Sequence, residues 1–153
     1  MTRRKLALLL MAAGAPTPVL FKMQMAHAAS PIQATLHKNP QCTCCEGYAQ
    51  YLEKNGFQVD AKPTNDLSEI SRNAGVPENL EGCHTMFVHG YVVDGHVPVE
   101  VIRKLLARKP AIAGITLPGM PPGSPGMDGP KTGTWTIYAV TKDGKPPQVF
   151  ATV

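Results

Sequence analysis

The chain has 153 residues, a formal net charge of +4 and a hydrophobic fraction of 43%, which suits one compact domain. Its positive charge comes from the four basic residues within positions 1–28, so residues 29–153 are close to neutral. A neutral domain has no basic surface for nucleic acid or an anionic membrane, and we expect neither as a partner.

The N-terminus has the three-part layout of an export signal. Residues 3–5 are basic, residues 6–15 are apolar, and residues 26–28 read Ala-His-Ala, a small-residue cleavage pattern. The apolar run is about half the length that a membrane-spanning helix needs. We therefore predict a cleaved signal peptide at residues 1–28 and an exported mature domain at residues 29–153 that does not span a membrane.

Three of the four cysteines lie close together after the first predicted strand. Residues 32–38 alternate apolar and polar side chains as a half-buried strand does. Cys42, Cys44 and Cys45 follow at once, and apolar residues at helical spacing then predict a helix that ends near position 55. The cysteines thus lie at a helix N-terminus, where the helix dipole favours thiolate over thiol.

The later elements complete an α/β pattern. We predict a strand at residues 57–61, a helix that Asp66 opens with a capping box and that buries Leu67, Ile70 and Ala74, a hairpin at residues 86–93 and a helix from Pro98. A second hairpin is predicted from residues 134–141 and 148–153. With Cys-x-x-Cys opening the first helix, this order predicts a thioredoxin-like βαβαββα sandwich with an extra C-terminal β-hairpin.

The fourth cysteine is expected on the loop that faces the cluster. Thioredoxin-like folds usually carry a cis-proline before the third strand, and this chain has Gly-Cys-His-Thr at residues 82–85 instead. Cys83 should therefore face the other cysteines. Neighbours on an extended segment point in opposite directions, so either Cys83 or His84 is expected to face away. His96, before the third helix at the same end of the sheet, is either a ligand or a surface histidine.

Residues 118–130 form a predicted loop, because nine of these thirteen residues are proline or glycine. The loop carries Met120 and Met127. A thioether is a soft ligand that favours Cu(I). Methionine also fills gaps against a core, which is the alternative interpretation of both residues.

The cysteine spacing leaves three kinds of function open. Adjacent cysteines do not chelate a single zinc ion comfortably, whereas crowded thiolates can bridge several Cu(I) ions. The second possibility is a thiol–disulfide oxidoreductase with Cys42 as nucleophile and Cys45 as resolving thiol. The third is a binding module held by structural disulfides, the usual use of cysteine in an oxidising compartment.

At these residues the chain resembles the CopG-type copper-resistance proteins. The resemblance rests on Cys-Thr-Cys-Cys at residues 42–45, on Cys-His-Thr at 83–85 with Gly-Tyr-Val-Val-Asp-Gly-His-Val-Pro at 90–98, and on the Pro-Gly-Met motifs of residues 118–127. Members commonly have tryptophan where this chain has Tyr48. The resemblance implies a thioredoxin-like fold, a periplasmic location, and copper bound by the cysteines with help from histidine or methionine.

The resulting hypothesis is an exported protein that binds copper, as several Cu(I) ions. The predicted metal ligands are Cys42, Cys44, Cys45, Cys83, His96, Met120 and Met127. Its role would be copper resistance by sequestration, by transfer to other periplasmic copper proteins, or by exchange between Cu(I) and Cu(II).

Overall fold

A seven-stranded sheet forms the centre of the domain. The computed structural model describes residues 30–153, and the predicted signal peptide at residues 1–28 lies outside the described residues. The strands follow the spatial order β2-β1-β3-β4-β5-β6-β7. Their bounds are β1 Ile32–Lys38, β2 Phe57–Pro63, β3 His84–Val88, β4 Tyr91–Asp94, β5 Gly114–Thr116, β6 Thr136–Val140 and β7 Gln148–Thr152.

Three α-helices connect these strands: α1 Thr43–Lys54, α2 Leu67–Asn73 and α3 Val99–Arg108. Helix α1 links the parallel strands β1 and β2, and α3 links the parallel strands β4 and β5. The other neighbouring strands pair antiparallel. The predicted order of strands and helices up to α3, and the C-terminal hairpin that extends the sheet, are therefore confirmed.

The helices cover both faces of the sheet. One face packs the apolar sides of α1 and α3 onto the strands, and its buried residues include Tyr48, Leu52, Ile102 and Leu105. The other face has a smaller cluster around Val76, on the segment that follows α2. Burial of the larger cluster fixes α1 against the sheet, and with it the position of the cysteines at its N-terminus.

Helix α2 forms, but two details of its prediction are wrong. Asp66 makes no side-chain capping hydrogen bond with the described residues. Leu67 and Ile70 are only partly buried, and Ser71 is the buried side chain of the helix. Its hydroxyl donates to the buried Asp94 carboxylate at 2.8 Å, which turns a polar side chain toward the sheet.

Strand β5 was not predicted, and it joins the C-terminal hairpin to the rest of the sheet. It pairs parallel with β4 and antiparallel with β6. A Cβ atom on Gly114 would collide with the backbone oxygen of Val92, so glycine permits this close pairing. None of the helices within residues 30–153 has the length and apolarity required to cross a bilayer.

Candidate metal centre

Strand register brings the cysteines to one edge of the sheet. Lys38, the last residue of β1, pairs with His84, the first residue of β3. Cys83 therefore lies beside the end of β1, from which the chain leads into the cysteines of α1. The end of β4 pairs with the start of β3 through Asp94 and Thr85, which places His96 at the same edge.

The four sulfur atoms form one compact group. The Sγ atom of Cys83 lies 3.5 Å from that of Cys45 and 3.9 Å from that of Cys44. The Sγ atoms of Cys42 and Cys44 are 3.4 Å apart. Cys45 is fully buried, whereas the other three cysteines are partly exposed. Because all four sulfurs lie within 4.8 Å of one another, they can share metal ions.

His96 lies against this group with a fixed ring orientation. Its Nδ1 donates a hydrogen bond to the backbone carbonyl of Pro125 at 2.6 Å. This bond makes Nδ1 the protonated nitrogen and leaves the lone pair of Nε2 facing the Sγ atom of Cys83, 2.9 Å away. A carbonyl that orients a histidine ring in this way is typical of metal-binding histidines.

His84 lies at the same point, contrary to the expected alternation with Cys83. Its Nδ1 is 3.5 Å from the Sγ atom of Cys83, and its ring is fully buried between the rings of Tyr48 and His96. The alternation rule fails because Cys83 precedes β3, so these two residues do not share a regular strand. The Nε2 atom of His84 has no hydrogen-bond partner among the described residues.

A buried carboxylate holds the loop that carries Cys83. Asp94 accepts hydrogen bonds from the hydroxyls of Ser71 and Thr85, each at 2.8 Å, and from the backbone amide of Gly82. These bonds tie α2, β3 and β4 to the residue before Cys83. This network was not among the sequence-based predictions, because its members are distant in sequence and are joined only by strand pairing.

Two glycines fit the loop of residues 118–130 against α1. A Cβ atom on Gly126, at φ +82°, would lie 2.5 Å from the backbone nitrogen of Tyr48. A Cβ atom on Gly47 would lie 3.0 Å from the oxygen of Gly126. Glycine at position 126 permits this contact, and a side chain at position 47 would make it tight. The contact places the carbonyl of Pro125 next to His96.

The two methionines of the loop lie at the sides of the cysteine group. Met127 lines a cleft of about 450 Å³ with Cys44, and Met120 lines a second cleft of about 220 Å³ with Cys83. Met120 is 50% exposed. Of the seven predicted ligands, the four cysteines and His96 are therefore in contact with one another, and the methionines border them.

Comparisons with known proteins identify relatives of this chain. Residues 80–127 match the family described as "Protein of unknown function, DUF411". Two solved structures, described as copper resistance protein CopG forms 2 and 1, are 36% and 35% identical, with TM-scores of 0.73 and 0.74. Each alignment covers 80% of this chain and 98% of the other. No curated protein sequence matches the chain.

The chain belongs to the CopG-type copper-resistance family. The donor set of this CopG-type protein fits a soft metal ion, because sulfur and neutral imidazole are the side chains that Cu(I) prefers.

Burial keeps Cys83, His84 and His96 of this CopG-type site uncharged without metal. Burial, followed by the nearby Cys44, raises the pKa of the Cys83 thiol to about 12. Burial and the nearby His96 lower the pKa of His84 to about 3, and burial also lowers the pKa of His96. Both imidazoles are therefore neutral at pH 7, as metal binding requires, whereas Cys83 must lose a proton to bind as thiolate.

The cysteines of this CopG-type protein are partly oxidised in the structure. Cys42 and Cys45 form a disulfide, with 5.4 Å between their Cα atoms, while Cys44 and Cys83 are free. The same four residues can therefore hold either two thiols and one disulfide or four thiols. The disulfide joins the outer pair that the sequence also made a candidate for thiol–disulfide exchange.

Proposed function

We propose that residues 29–153 form an exported domain that binds several Cu(I) ions at the cysteine group. The observation that carries this proposal is the position of four sulfurs within 4.8 Å of one another. The assigned ligands are Cys42, Cys44, Cys45, Cys83 and His96, with Met120 and Met127 beside the site. Residues 1–28 would act as the cleaved signal that directs the domain to the periplasm.

The donor geometry favours several ions over one. Cys44 and Cys45 are adjacent in the chain, and both sulfurs approach Cys83, at 3.9 Å and 3.5 Å. Adjacent cysteines do not readily chelate one ion. This arrangement is therefore better suited to bridging thiolates that share two or more Cu(I) ions. His96 adds a neutral donor through Nε2, beside Cys83.

Copper bound in this way would serve the resistance for which the family is named. Three roles fit the site: sequestration, transfer to other periplasmic copper proteins, and exchange between Cu(I) and Cu(II). Thiolates favour Cu(I) and imidazole accommodates both oxidation states, so the mixed donor set supports the third role as well as the first two.

Copper content tests the proposal directly. Residues 29–153 are reduced, loaded with Cu(I) without oxygen and challenged with a competing chelator, and two or more retained ions per chain are expected. Cys45→Ser should lower the count because it removes a buried bridging sulfur. Thr43→Ser, next to the cysteines but exposed, is the matched control. No retained copper with intact thiols would overturn the proposal.

The disulfide between Cys42 and Cys45 favours a second candidate function, thiol–disulfide exchange. In that reaction Cys42 would attack a substrate disulfide, and Cys45 would then displace the reduced substrate as the Cys42–Cys45 disulfide forms. Metal-free protein that catalyses disulfide reduction, with loss of activity in Cys42→Ser, would support this function. A metal-free protein without such activity would exclude it.

A further inference from the structure

One cleft connects the cysteine group with solvent, and its lining joins two predicted ligands, Cys83 and Met120, with residues outside the predicted set. It has a volume of about 220 Å³ and is lined by Glu81, Gly82, Cys83, Gly119 and Met120. Cys83 belongs both to this cleft and to the cysteine group, because its Sγ atom also lies 3.5 Å from that of Cys45. An ion in this cleft is therefore one ligand exchange away from the cysteine group.

Glu81 lines this cleft and has a carboxylate oxygen without a partner. Its Oε1 atom is buried and makes no hydrogen bond with the described residues. Glu81 also takes part in none of the ion pairs found within residues 30–153. A buried carboxylate oxygen without a donor is costly, and a cation in the cleft would compensate it.

Met120 supplies a thioether on the solvent side of the same cleft. Its side chain is 50% exposed, although most large apolar side chains of the domain are packed. A Cβ atom on the preceding Gly119, at φ +70°, would meet nothing within 4 Å, so the backbone is not tightly packed there. Packing into the core does not explain the exposed position of Met120, whereas a role as a soft ligand at the mouth of the cleft does.

We propose that Glu81, Met120 and Cys83 form an access site that takes up a copper cation from solvent and passes it to the cysteine group. This inference rests on the proposed copper-binding function. The Glu81 carboxylate attracts the cation, and the Met120 thioether holds it. Transfer then follows as the copper–thioether bond breaks and a copper–thiolate bond to Cys83 forms, with no change in the oxidation state of copper.

The donor chemistry suits brief binding. One carboxylate oxygen and one thioether form a mixed, weak ligand pair for Cu(I), while the neighbouring thiolates bind it more strongly. A copper ion therefore moves from the weaker ligands to the stronger ones. The proton that Cys83 loses when it binds copper goes to solvent.

Uptake kinetics test this access site. The full chain, reduced and without oxygen, is mixed rapidly with Cu(I) supplied as its cationic acetonitrile complex, and thiolate–copper absorption is followed. Glu81→Gln should slow uptake by about threefold to tenfold, since it removes the charge that attracts the cation. Glu78→Gln removes one exposed charge from outside the cleft and is the matched control. Met120→Leu should also slow uptake.

Each outcome separates this inference from the proposed function. The rate difference between wild type and Glu81→Gln should shrink as ionic strength rises, because salt screens the attraction. Equal rates for both chains, or a difference that salt does not change, would overturn the role of Glu81. An unchanged rate in Met120→Leu would overturn the role of the thioether. Wild-type chain that takes up no copper would instead overturn the proposed function.

Discussion

His96 shows how a single hydrogen bond prepares a metal ligand. The carbonyl of Pro125 accepts a hydrogen bond from the Nδ1–H group of His96, so the lone pair of Nε2 faces the Sγ atom of Cys83. A histidine without this hydrogen bond would have to settle into one tautomer and one ring orientation before it could bind copper. In this site both are already fixed, which reduces the entropy lost on binding.

Replacing His96 should weaken copper binding. His96→Phe keeps a ring in the buried position but removes Nε2, and we expect the affinity for Cu(I) to fall by about 10-fold to 100-fold. His89→Asn is the matched control, because His89 lies in an exposed turn at φ +47°, which asparagine adopts readily. Competition with a Cu(I) chelator measures both affinities. Equal affinities in wild type and His96→Phe would exclude His96 as a ligand.

His84 should make the metal-free protein sensitive to acid. Its pKa is about 3 in the folded chain, against about 6.5 when unfolded, so only the unfolded state binds the proton between these values. Stability is therefore lost as the pH falls from 6.5 toward 3. At pH 5 the loss due to His84 is about 2 kcal/mol.

Urea unfolding at pH 7 and pH 5 measures this acid sensitivity. His84→Phe should lose less stability between the two values than wild type does. His37→Gln is the control, since this histidine is partly exposed on β1 and should leave the loss unchanged. The same loss in His84→Phe as in wild type would show that another group causes it.

At the residue scale, sequence revealed the thiols but not all of their surroundings. Cysteine spacing predicted the cluster and the approach of Cys83 because each signal is local or follows from the order of elements. The position of His84 was not predicted, because it depends on the residue at which strand β3 begins. The pairing of Asp94 with Ser71 was missed because a polar contact between distant elements leaves no pattern in a single sequence.

Among the elements, the loop of residues 118–130 is the one that completes the site. Its contact with α1 depends on Gly126, whose backbone lies too close to Tyr48 for any side chain. The same contact places Pro125 beside His96. A segment without helix or strand thus positions a ligand, because its prolines restrict the backbone and its glycines permit the close contact with α1.

Gly126→Ala should disturb this loop and weaken copper binding. The added Cβ would meet the backbone of Tyr48 at 2.5 Å, so the loop must shift and the bond from His96 to Pro125 should be lost. Gly129→Ala is the matched control. Gly129 also has positive φ, at +92°, but a Cβ there would meet nothing within 4 Å.

Chelator competition and thermal unfolding distinguish the two alanine variants. Both should lose about 1–2 kcal/mol from backbone strain, because alanine adopts positive φ poorly. Only Gly126→Ala should also lose Cu(I) affinity, by about 10-fold, as expected for a ligand without its orienting partner. Similar affinities in the two variants would show that the loop contact does not support the site.

Element prediction succeeded where periodicity was strong and failed where packing decided the outcome. Strand β1 and helix α1 have clear patterns, and both formed with the expected order. Strand β5 has only three residues, too few to show a periodic pattern, and its pairing depends on the close contact of Gly114 with β4. The buried face of α2 differs from its apolar pattern because Ser71 bonds to Asp94.

For the whole molecule, redox state and copper binding depend on the same atoms. The disulfide uses the sulfurs of Cys42 and Cys45, which leaves Cys44 and Cys83 free. Reduction provides four sulfur donors at one edge of the sheet. Because copper and the disulfide compete for the same sulfurs, each should oppose the other to the same thermodynamic extent.

Reduced protein should therefore hold more Cu(I) than oxidised protein. With Cys42 and Cys45 joined, two of the four sulfur donors are lost, and we expect the retained copper count to fall. Loading with Cu(I) should in turn protect the reduced chain from oxidised glutathione, which otherwise accepts two electrons as the disulfide forms. Copper analysis and thiol titration, before and after the oxidant, measure both effects. Equal copper counts in the two states would show that Cys42 and Cys45 do not bind copper. Equal oxidation rates with and without Cu(I) would show that bound copper leaves this pair of thiols open to the oxidant.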